Sequence, residues 1–304
     1  MRVAVCGATG TIGRRLARAL VARGDEVVPV SRGSGDLDGT PLVTWDPLAQ
    51  PLPPAATEGV DAVVNLAGAP IEGGRWTEGR KRLIRESRVG TTRRIAEALA
   101  GGAGPRVLVN GSAVGFYGDR MDEELDESSP PGTGFLPEVC RAWEDAAREA
   151  ERGGVRVAMA RTGIVLAHEG GALPRLVTVT RLFAGGPVAG GRQWMPWVAM
   201  EDQVGMLLAA LDDDGYRGPF NVTSPNPVRQ REFADALGRV LGRPTLLPAP
   251  GFAVRVLLGE MADIVLDGQR ALPRVAQAKG YAFRFTDVEE ALRAELGRPR
   301  AAAA

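Results

Sequence analysis

Gly7, Gly10 and Gly13 have the spacing of a phosphate-binding turn. An apolar run at residues 3–5 precedes them, and apolar residues at helical spacing follow. In such a strand–turn–helix unit, the first glycine permits the tight turn, the second admits a pyrophosphate, and the third lets the helix lie against the strand. The helix N-terminus adds unpaired N–H donors. We therefore predict a dinucleotide site, with a glycine-rich surface turn as the alternative. The turn also contains Thr9, Thr11 and Ile12.

The second predicted strand ends at Ser31 and Arg32, where dinucleotide-binding folds place the residue that contacts the adenosine ribose. An acidic residue there would accept a hydrogen bond from a free 2′-hydroxyl. A serine and an arginine instead suit a 2′-phosphate, through charge-assisted hydrogen bonds. This favours NADP as the cofactor. NAD is the alternative, with Asp36 and Asp38 in the following glycine-rich loop as its ribose acceptors.

Small residues follow the fourth predicted strand, at the sheet edge where open α/β folds bind ligands. Leu66, Ala67 and Gly68 would let the nucleoside lie against backbone, although an ordinary strand exit has the same composition. Asp46 could accept from the adenine amino group or could close a turn. Ala160, in the sixth predicted strand, completes the predicted cofactor contacts.

Arg88 lies on the apolar stripe of a long predicted helix over residues 78–100. A buried guanidinium needs an anion or a set of carbonyl oxygens as its partner. The cofactor or a substrate could supply the anion. Alternatively, the side chain reaches past the stripe to solvent.

The elements that would position these residues alternate between short apolar runs and amphipathic stretches, as in βαβ units with a parallel sheet. We predict an α/β fold, a Rossmann-type doubly wound parallel sheet with a smaller C-terminal substrate lobe. The nucleotide-binding domain covers residues 1–165 and recovers a late strand from about 219–223; the lobe covers 166–297, and 298–304 is a tail. The predicted strands are near 2–6, 26–30, 41–45, 60–66, 106–110 and 155–161. The predicted helices are near 11–23, 78–100, 136–152, 201–213, 229–241 and 285–296.

Composition excludes several classes of function. The 37 basic and 37 acidic residues balance, so charge favours neither nucleic acid nor an anionic membrane as partner. No apolar run is long enough to span a bilayer, and no leader pattern precedes the first strand, so we expect a cytoplasmic protein. Two cysteines and one histidine argue against a metal centre or a Ser-His-Asp triad. The oligomeric state stays open.

Further motifs give the chain a resemblance to the extended short-chain dehydrogenase/reductase superfamily, and within it to an atypical, YfcH-like epimerase branch. The resemblance spans about residues 1–297 and implies a Rossmann fold with the family's C-terminal domain. The segments that carry it are residues 7–13, 31–32, 45–46, 65–68, 75–76, 87–88, 110–118, 135–144, 190–197, 257–261 and 268–270.

The superfamily leads one to expect a Tyr-x-x-x-Lys pair for proton transfer, which this chain lacks. Matching its helix to the superfamily's places Leu136 at the tyrosine position and Cys140 at the lysine position. Ser112 matches the superfamily's polarising serine, and Tyr117, five residues later, could reach the nicotinamide as a substitute acid. We therefore predict Ser112 and Tyr117 as catalytic residues, and core packing rather than thiolate chemistry for Cys140.

A glycine-rich loop is followed by residues that could form a substrate wall, because tryptophans beside a basic residue suit a planar or sugar-like ligand. Packing of the lobe explains the tryptophans equally well. These residues are Arg192, Gln193, Trp194 and Trp197. We interpret His168 as a surface-loop histidine.

Two functions remain in play. The first is an NADP-dependent oxidoreductase or epimerase-like enzyme acting on an unknown small polar molecule. The second is a catalytically degenerate NADP-binding sensor or regulatory protein. The missing tyrosine and lysine favour the second, whereas the retained Ser112 and the C-terminal lobe favour the first.

Overall fold

A computed structural model describes residues 1–102 and 104–297, and the predicted tail at 298–304 lies outside these ranges. Its centre is a seven-stranded sheet in which every neighbouring pair of strands is parallel. The strands are β1 (Arg2–Cys6), β2 (Glu26–Ser31), β3 (Val43–Thr44), β4 (Ala62–Asn65), β5 (Val107–Ala113), β6 (Arg156–Thr162) and β7 (Gly218–Val222). The spatial order is β7-β6-β5-β4-β1-β2-β3. Chain order reverses between β1 and β4, the position where folds of this kind bind ligands.

The helices cover both faces of this sheet. They are α1 (Thr11–Ala22), α2 (Glu78–Leu99), α3 (Phe135–Arg148), α4 (Leu173–Arg181), α5 (Met200–Asp212), α6 (Gln230–Leu241), α7 (Gly251–Leu258), α8 (Asp263–Leu266), α9 (Arg274–Ala278) and α10 (Val288–Glu295). Single 3₁₀ turns are formed by Pro54–Ala56, Val114–Tyr117, Glu149–Gly153 and Gly259–Ala262. Among the described residues, no helix combines the length and apolarity needed to cross a membrane.

Alternation along the strands explains the two layers of helices. Val3 and Val5 lie in one buried cluster with Leu16 of α1 and Leu207 of α5. The intervening Ala4 lies in the opposite cluster, which contains residues of α2 and α3. Because successive side chains point to opposite faces, a strand buried on both sides is apolar throughout. The doubly wound prediction is therefore confirmed.

One predicted strand is shorter in the structure, and several helices were not predicted. The strand predicted at 41–45 is reduced to β3, because Pro41 lacks an N–H donor and lies in a two-residue pairing of Thr40–Pro41 with Asp36–Leu37. The glycine- and proline-rich stretch after β6 contains the unpredicted helix α4. Helix α7 was also unpredicted, and none of its residues is buried.

The C-terminal part supplies both the lobe and part of the nucleotide-binding domain. The late strand expected at about 219–223 is β7, which pairs with β6, and α5 packs against α1. The lobe has its own apolar cluster around Trp197, Phe233 and Leu292. Two small strand pairs border it, Ile164–Leu166 with Trp197–Ala199 and Trp194–Met195 with Val228–Arg229. A third pair, Glu124–Leu125 with Arg270–Ala271, links the lobe to the loop after β5.

Candidate cofactor and active site

The three glycines of the turn do different physical work. Gly7 has a φ of +84°, and a Cβ there would lie 2.9 Å from the carbonyl carbon of Leu66. A Cβ on Gly13 would lie 2.2 Å from the Gly7 oxygen, so α1 packs too closely for any other residue. A Cβ on Gly10 would meet only that oxygen, at 3.2 Å, apart from its chain neighbours. Helix α1 starts at Thr11 with no side-chain cap, which leaves its N–H groups available to a pyrophosphate.

Polar groups converge beside this turn at the end of β2. The hydroxyls of Thr9 and Ser31 are 2.9 Å apart, and the Gly33 N–H donates to the Ser31 oxygen at 3.5 Å. The exposed Arg32 forms no hydrogen bond or ion pair within the part of the chain that the structure describes. Two neighbouring hydroxyls followed in the chain by an exposed arginine have the composition that suits a phosphate.

The acidic residues of the NAD alternative are already engaged. Arg18 donates to both oxygens of Asp38, at 2.8 and 3.2 Å. These hydrogen bonds hold the pKa of Asp38 below its usual value. Asp36 accepts from the Gly39 N–H at 2.9 Å and closes the small hairpin. The geometry thus favours a 2′-phosphate over a free ribose hydroxyl.

The exit of β4 lies directly against the glycine turn. A Cβ on Gly7 would contact Leu66 and Ala67, and both of these residues are half-buried whereas Gly68 is exposed. Asp46 is exposed and its Oδ1 accepts from the Leu48 N–H at 3.1 Å, which is the turn role that the sequence left open. An adenine contact by Asp46 stays a prediction.

One predicted cofactor contact is wrong. Ala160 has no exposed surface and lies within the buried cluster on the α1 side of the sheet. The residue is in the middle of the hydrogen-bonded region of β6, paired with Gly111 of β5 and Phe220 of β7. A cofactor at the sheet edge cannot contact a side chain that is covered on all sides.

Arg88 finds carbonyl partners. Its Nη1 donates to the oxygens of Ala69, at 3.0 Å, and Ile84, at 3.2 Å. The guanidinium lies 5.4 Å from the ring centroid of Trp143, and its carbon would be 3.3 Å from a Cβ on Gly68. Burial lowers the pKa of this guanidinium. Arg88 therefore packs against the turn at Gly68 and holds it through the Ala69 oxygen. A contact of Arg88 with a ligand stays a prediction.

A buried ion pair lies next to Ser112, one of the two residues predicted to be catalytic. Ser112 is near the end of β5, and its hydroxyl donates to Glu144 Oε1 at 2.7 Å. Arg161 of β6 donates to both oxygens of Glu144, at 2.8 and 2.9 Å, and only 3% of each charged side chain is exposed. The guanidinium also lies 3.5 Å from the ring centroid of Phe116. Burial opposes its charge, but the bonds and charge of Glu144 raise the pKa of Arg161 overall.

The prediction that Tyr117 serves as a substitute acid is wrong. Its side chain has no exposed surface, because the 3₁₀ turn after β5 directs it into the core. The hydroxyl donates to Asn221 Oδ1 at 2.7 Å and accepts from Arg161 at 3.0 Å. Burial raises the pKa of Tyr117 to about 12. The phenol therefore joins the structural network rather than the nicotinamide face.

The positions of the missing dyad are apolar. A Cβ on Gly115 would lie 3.5 Å from the Leu136 Cβ, so leucine faces the loop after β5. Cys140 is buried with Phe116, Tyr117 and other apolar residues. Burial raises the pKa of this thiol to about 12. The packing role predicted for Cys140 is confirmed.

The predicted substrate wall separates into different roles. The prediction that Trp197 contacts a substrate is wrong, because its side chain is fully buried in the lobe core and donates to the Asn226 oxygen at 2.9 Å. Gln193 joins the loop at Val188 to helix α8 at Val265 through the two backbone oxygens, at 3.3 and 2.9 Å.

The other two predicted wall residues lie nearer the surface. Trp194 is half-buried, donates to Asp122 at 3.1 Å and lies 3.9 Å under the Arg229 guanidinium. Arg192 is exposed. These two residues stay predicted substrate contacts.

His168 lies in an exposed loop, as predicted. Its Nδ1 is 2.7 Å from Glu295, and its backbone N–H donates to the same carboxylate. Arg15 lies 2.6 Å from Glu169 and 3.5 Å from Glu295. A cation at these carboxylates would have to displace a guanidinium.

Sequence reasoning missed the residues that make the buried network. Glu144 interrupts the apolar stripe of α3 four positions after Cys140, and Arg161 follows the apolar run 157–160 of β6. Those interruptions were the available signal. Asp267, in the lobe, was also missed; burial, with the nearby Asp263 and Asp119 charges, raises its pKa to about 6.

The order of the sheet and the glycine turn at its switch point define a dinucleotide-binding protein of the Rossmann type. The chain belongs to the NAD dependent epimerase/dehydratase family, which matches residues 3–223. Residues 249–295 match a domain of unknown function, DUF1731. The resemblance drawn from the motifs is thereby confirmed.

Three known proteins illustrate the family. The chain is 40% identical to the Arabidopsis thaliana epimerase family protein SDR39U1 homolog, chloroplastic, over 97% of this chain and 86% of that protein. The crystal structure of human epimerase family protein SDR39U1 with NADPH has a TM-score of 0.89 and 35% identity, covering 98% and 99% of the two chains. The nucleoside-diphosphate sugar epimerase from Corynebacterium glutamicum gives a TM-score of 0.81 and 35% identity, over 98% of this chain and 58% of that one.

Proposed function

We propose that this chain binds NADP(H), with the pyrophosphate at the N-terminus of α1 and the 2′-phosphate beside Ser31 and Arg32. The observation that carries the proposal is that Arg32, which forms no ion pair among the described residues, directly follows Ser31, whose hydroxyl is 2.9 Å from that of Thr9, in a loop whose own carboxylates are engaged elsewhere. The human structural relative solved with NADPH supports the same cofactor. When bound, the nicotinamide supplies or accepts a hydride.

Reversal of the charge at Arg32 tests the cofactor preference. The wild type is expected to bind NADPH more tightly than NADH, and Arg32→Glu should remove that preference, at a cost of roughly 1.5–3 kcal/mol for a lost charged hydrogen bond. Nicotinamide fluorescence titration measures both affinities. Arg231→Glu, an exposed reversal on α6, is the matched control and should keep the preference. Equal affinities for the two cofactors in the wild type would contradict the assignment.

We further propose an oxidoreductase or epimerase-like reaction in which Ser112 and Glu144 replace the tyrosine and lysine. With the Ser112 proton directed at Glu144, the Ser112 lone pairs are free to accept a proton from a substrate hydroxyl. The Ser112 proton would then pass to Glu144, and an oxidised cofactor held by the glycine turn and the end of β2 would supply the hydride acceptor. Arg161 positions Glu144 by holding both of its oxygens. The C. glutamicum relative, a nucleoside-diphosphate sugar epimerase by title, makes nucleotide sugars the first molecules to test.

A second candidate function is a cofactor-binding regulator without turnover. The observation that favours it is the apolar character of the dyad positions, with Leu136 unable to ionise and the pKa of Cys140 raised to about 12. Cofactor binding combined with no reaction across nucleotide sugars, ketones, aldehydes and alcohols would select this function over the enzyme.

Ser112→Ala is expected to lower turnover by about 100-fold, the usual scale for loss of a general acid or base, with little change in NADPH affinity. Cys140→Ala and Tyr117→Phe remove groups that face the core, so both should retain most of the activity. Turnover is followed by NADPH absorbance, and affinity by fluorescence. An active Ser112→Ala beside an inactive Cys140→Ala would replace this mechanism with a cysteine one.

A further inference from the structure

Two exposed arginines, Arg14 and Arg18, lie one turn apart on α1. Arg18 is consumed by its two hydrogen bonds to Asp38. Among the described residues, the Arg14 side chain donates one hydrogen bond, from Nη2 to the neutral backbone oxygen of Thr9 at 3.3 Å. In the described ranges, no carboxylate forms an ion pair with Arg14. Residues four apart share a helix face, but the two guanidiniums have partners in different loops: Arg14 at Thr9 in the glycine turn, and Arg18 at Asp38 after β2.

The contact of Arg14 with Thr9 brings it to the polar group at the end of β2. The Thr9 hydroxyl is 2.9 Å from the Ser31 hydroxyl, and Arg32 follows in the chain. The Ser31 oxygen also accepts from the Gly33 N–H. A chain of contacts thus runs from Arg14 through Thr9 to Ser31, the residue before Arg32, and neither Arg14 nor Arg32 forms an ion pair within the described ranges.

The two carboxylates of the loop after β2, Asp36 and Asp38, form hydrogen bonds with groups other than Arg14 and Arg32. The hydrogen bonds from Arg18 lower the pKa of Asp38, and the charge of Arg14 acts in the same direction. Asp36 is occupied by the Gly39 N–H. A phosphate monoester carries a charge of about −1.5 to −2 near neutral pH, which two arginines match better than one.

We infer that Arg14 is a second specificity-determining residue, which binds the 2′-phosphate of NADP(H) together with Arg32, while Arg18 keeps Asp38 from repelling that phosphate. The inference rests on the proposed function, since it assigns a new residue to the same cofactor site. The inference also gives the two arginines of α1 different roles. Arg14 contributes directly, and Arg18 acts through Asp38 as a positioning residue.

The test compares the NADPH and NADH affinities of purified variants by nicotinamide fluorescence. Arg14→Gln should weaken NADPH binding by about 10-fold and leave NADH binding within about 2-fold, because NADH lacks the phosphate. Arg14→Lys should recover part of the loss, since a point charge without the planar fork remains. Arg231→Gln, on the exposed surface of α6, should change neither affinity.

Arg18→Gln tests the second half of the inference. With its partner removed, Asp38 faces the phosphate as a free carboxylate, so NADPH binding should weaken by about 3-fold; Asp38→Asn in the same chain should restore it. Raising the ionic strength should shrink all of these differences, because the groups are exposed.

The outcomes separate the inference from the function on which it rests. Failure of the wild type to bind NADPH would overturn the proposed function itself. An NADPH preference that Arg32→Glu removes and Arg14→Gln keeps would overturn the role of Arg14 alone. Equal weakening of NADPH and NADH by Arg14→Gln would place that guanidinium at the pyrophosphate and also overturn the inference.

Discussion

Replacement of Gly10 by valine is expected to weaken dinucleotide binding by about 100-fold or more and to leave the fold intact. The backbone of Gly10 has φ −74° and ψ 169°, an extended conformation that any residue adopts. Apart from its chain neighbours, an added Cβ would meet only the Gly7 oxygen, at 3.2 Å. The branched side chain would therefore extend from the uncapped end of α1 into the space that a pyrophosphate must enter.

Two other glycines make this experiment specific. Gly101→Val adds the same side chain where a Cβ meets nothing within 4 Å, and it should change neither binding nor stability. Gly13→Val should instead destabilise the fold, because its Cβ would lie 2.2 Å from the Gly7 oxygen. Fluorescence titration reports binding and circular dichroism reports folding. Undiminished NADPH binding by a folded Gly10→Val protein would move the cofactor to another part of the molecule.

The sheet was predictable because its signal is local. A strand buried on both faces must be apolar at consecutive positions, as β1 and β4 are, and the glycine turn fixes where the first strand gives way to a helix. The late strand predicted near 219–223 is present as β7, which pairs with β6. The same local pattern placed Ser31 at the end of β2, where the structure has it, and the contacts of Ser31 and Arg32 with a cofactor stay predictions.

The reacting end was not predictable, because its contacts join residues far apart in the chain. Tyr117 lies five residues after Ser112, yet the turn between them sends its hydroxyl to Asn221, 104 positions away. Trp197 follows the glycine-rich loop after which the sequence predicts substrate contacts, but its ring is buried in the apolar cluster of the lobe. Spacing gives no direction for a side chain after an irregular turn. The sequence pattern therefore identified the segments that contain the predicted catalytic and substrate residues, but not which of their side chains are buried.

The pairing of Glu144 with Arg161 leads to the largest expected loss of stability. Arg161→Met removes one partner and leaves a carboxylate that is 3% exposed with no opposite charge. Breaking a buried pair in this way costs about 3–5 kcal/mol, whereas replacing both charges by apolar groups of similar size is often close to neutral. The Tyr117 hydroxyl also loses its donor, which adds to the cost.

We therefore expect Arg161→Met to lower the free energy of unfolding by about 3–5 kcal/mol, and Glu144→Leu with Arg161→Met to be more stable than either single variant. Urea unfolding followed by circular dichroism measures all three proteins and the wild type. As a control, Arg239→Met removes the exposed partner of Glu289 and should cost less than about 1 kcal/mol. If the double variant loses the sum of the two single losses, the two charges are stabilised independently, and the pair does not hold β6 against α3. If the double variant recovers stability as expected but loses turnover as fully as Ser112→Ala does, the buried pair serves the chemistry at Ser112 as well as the fold.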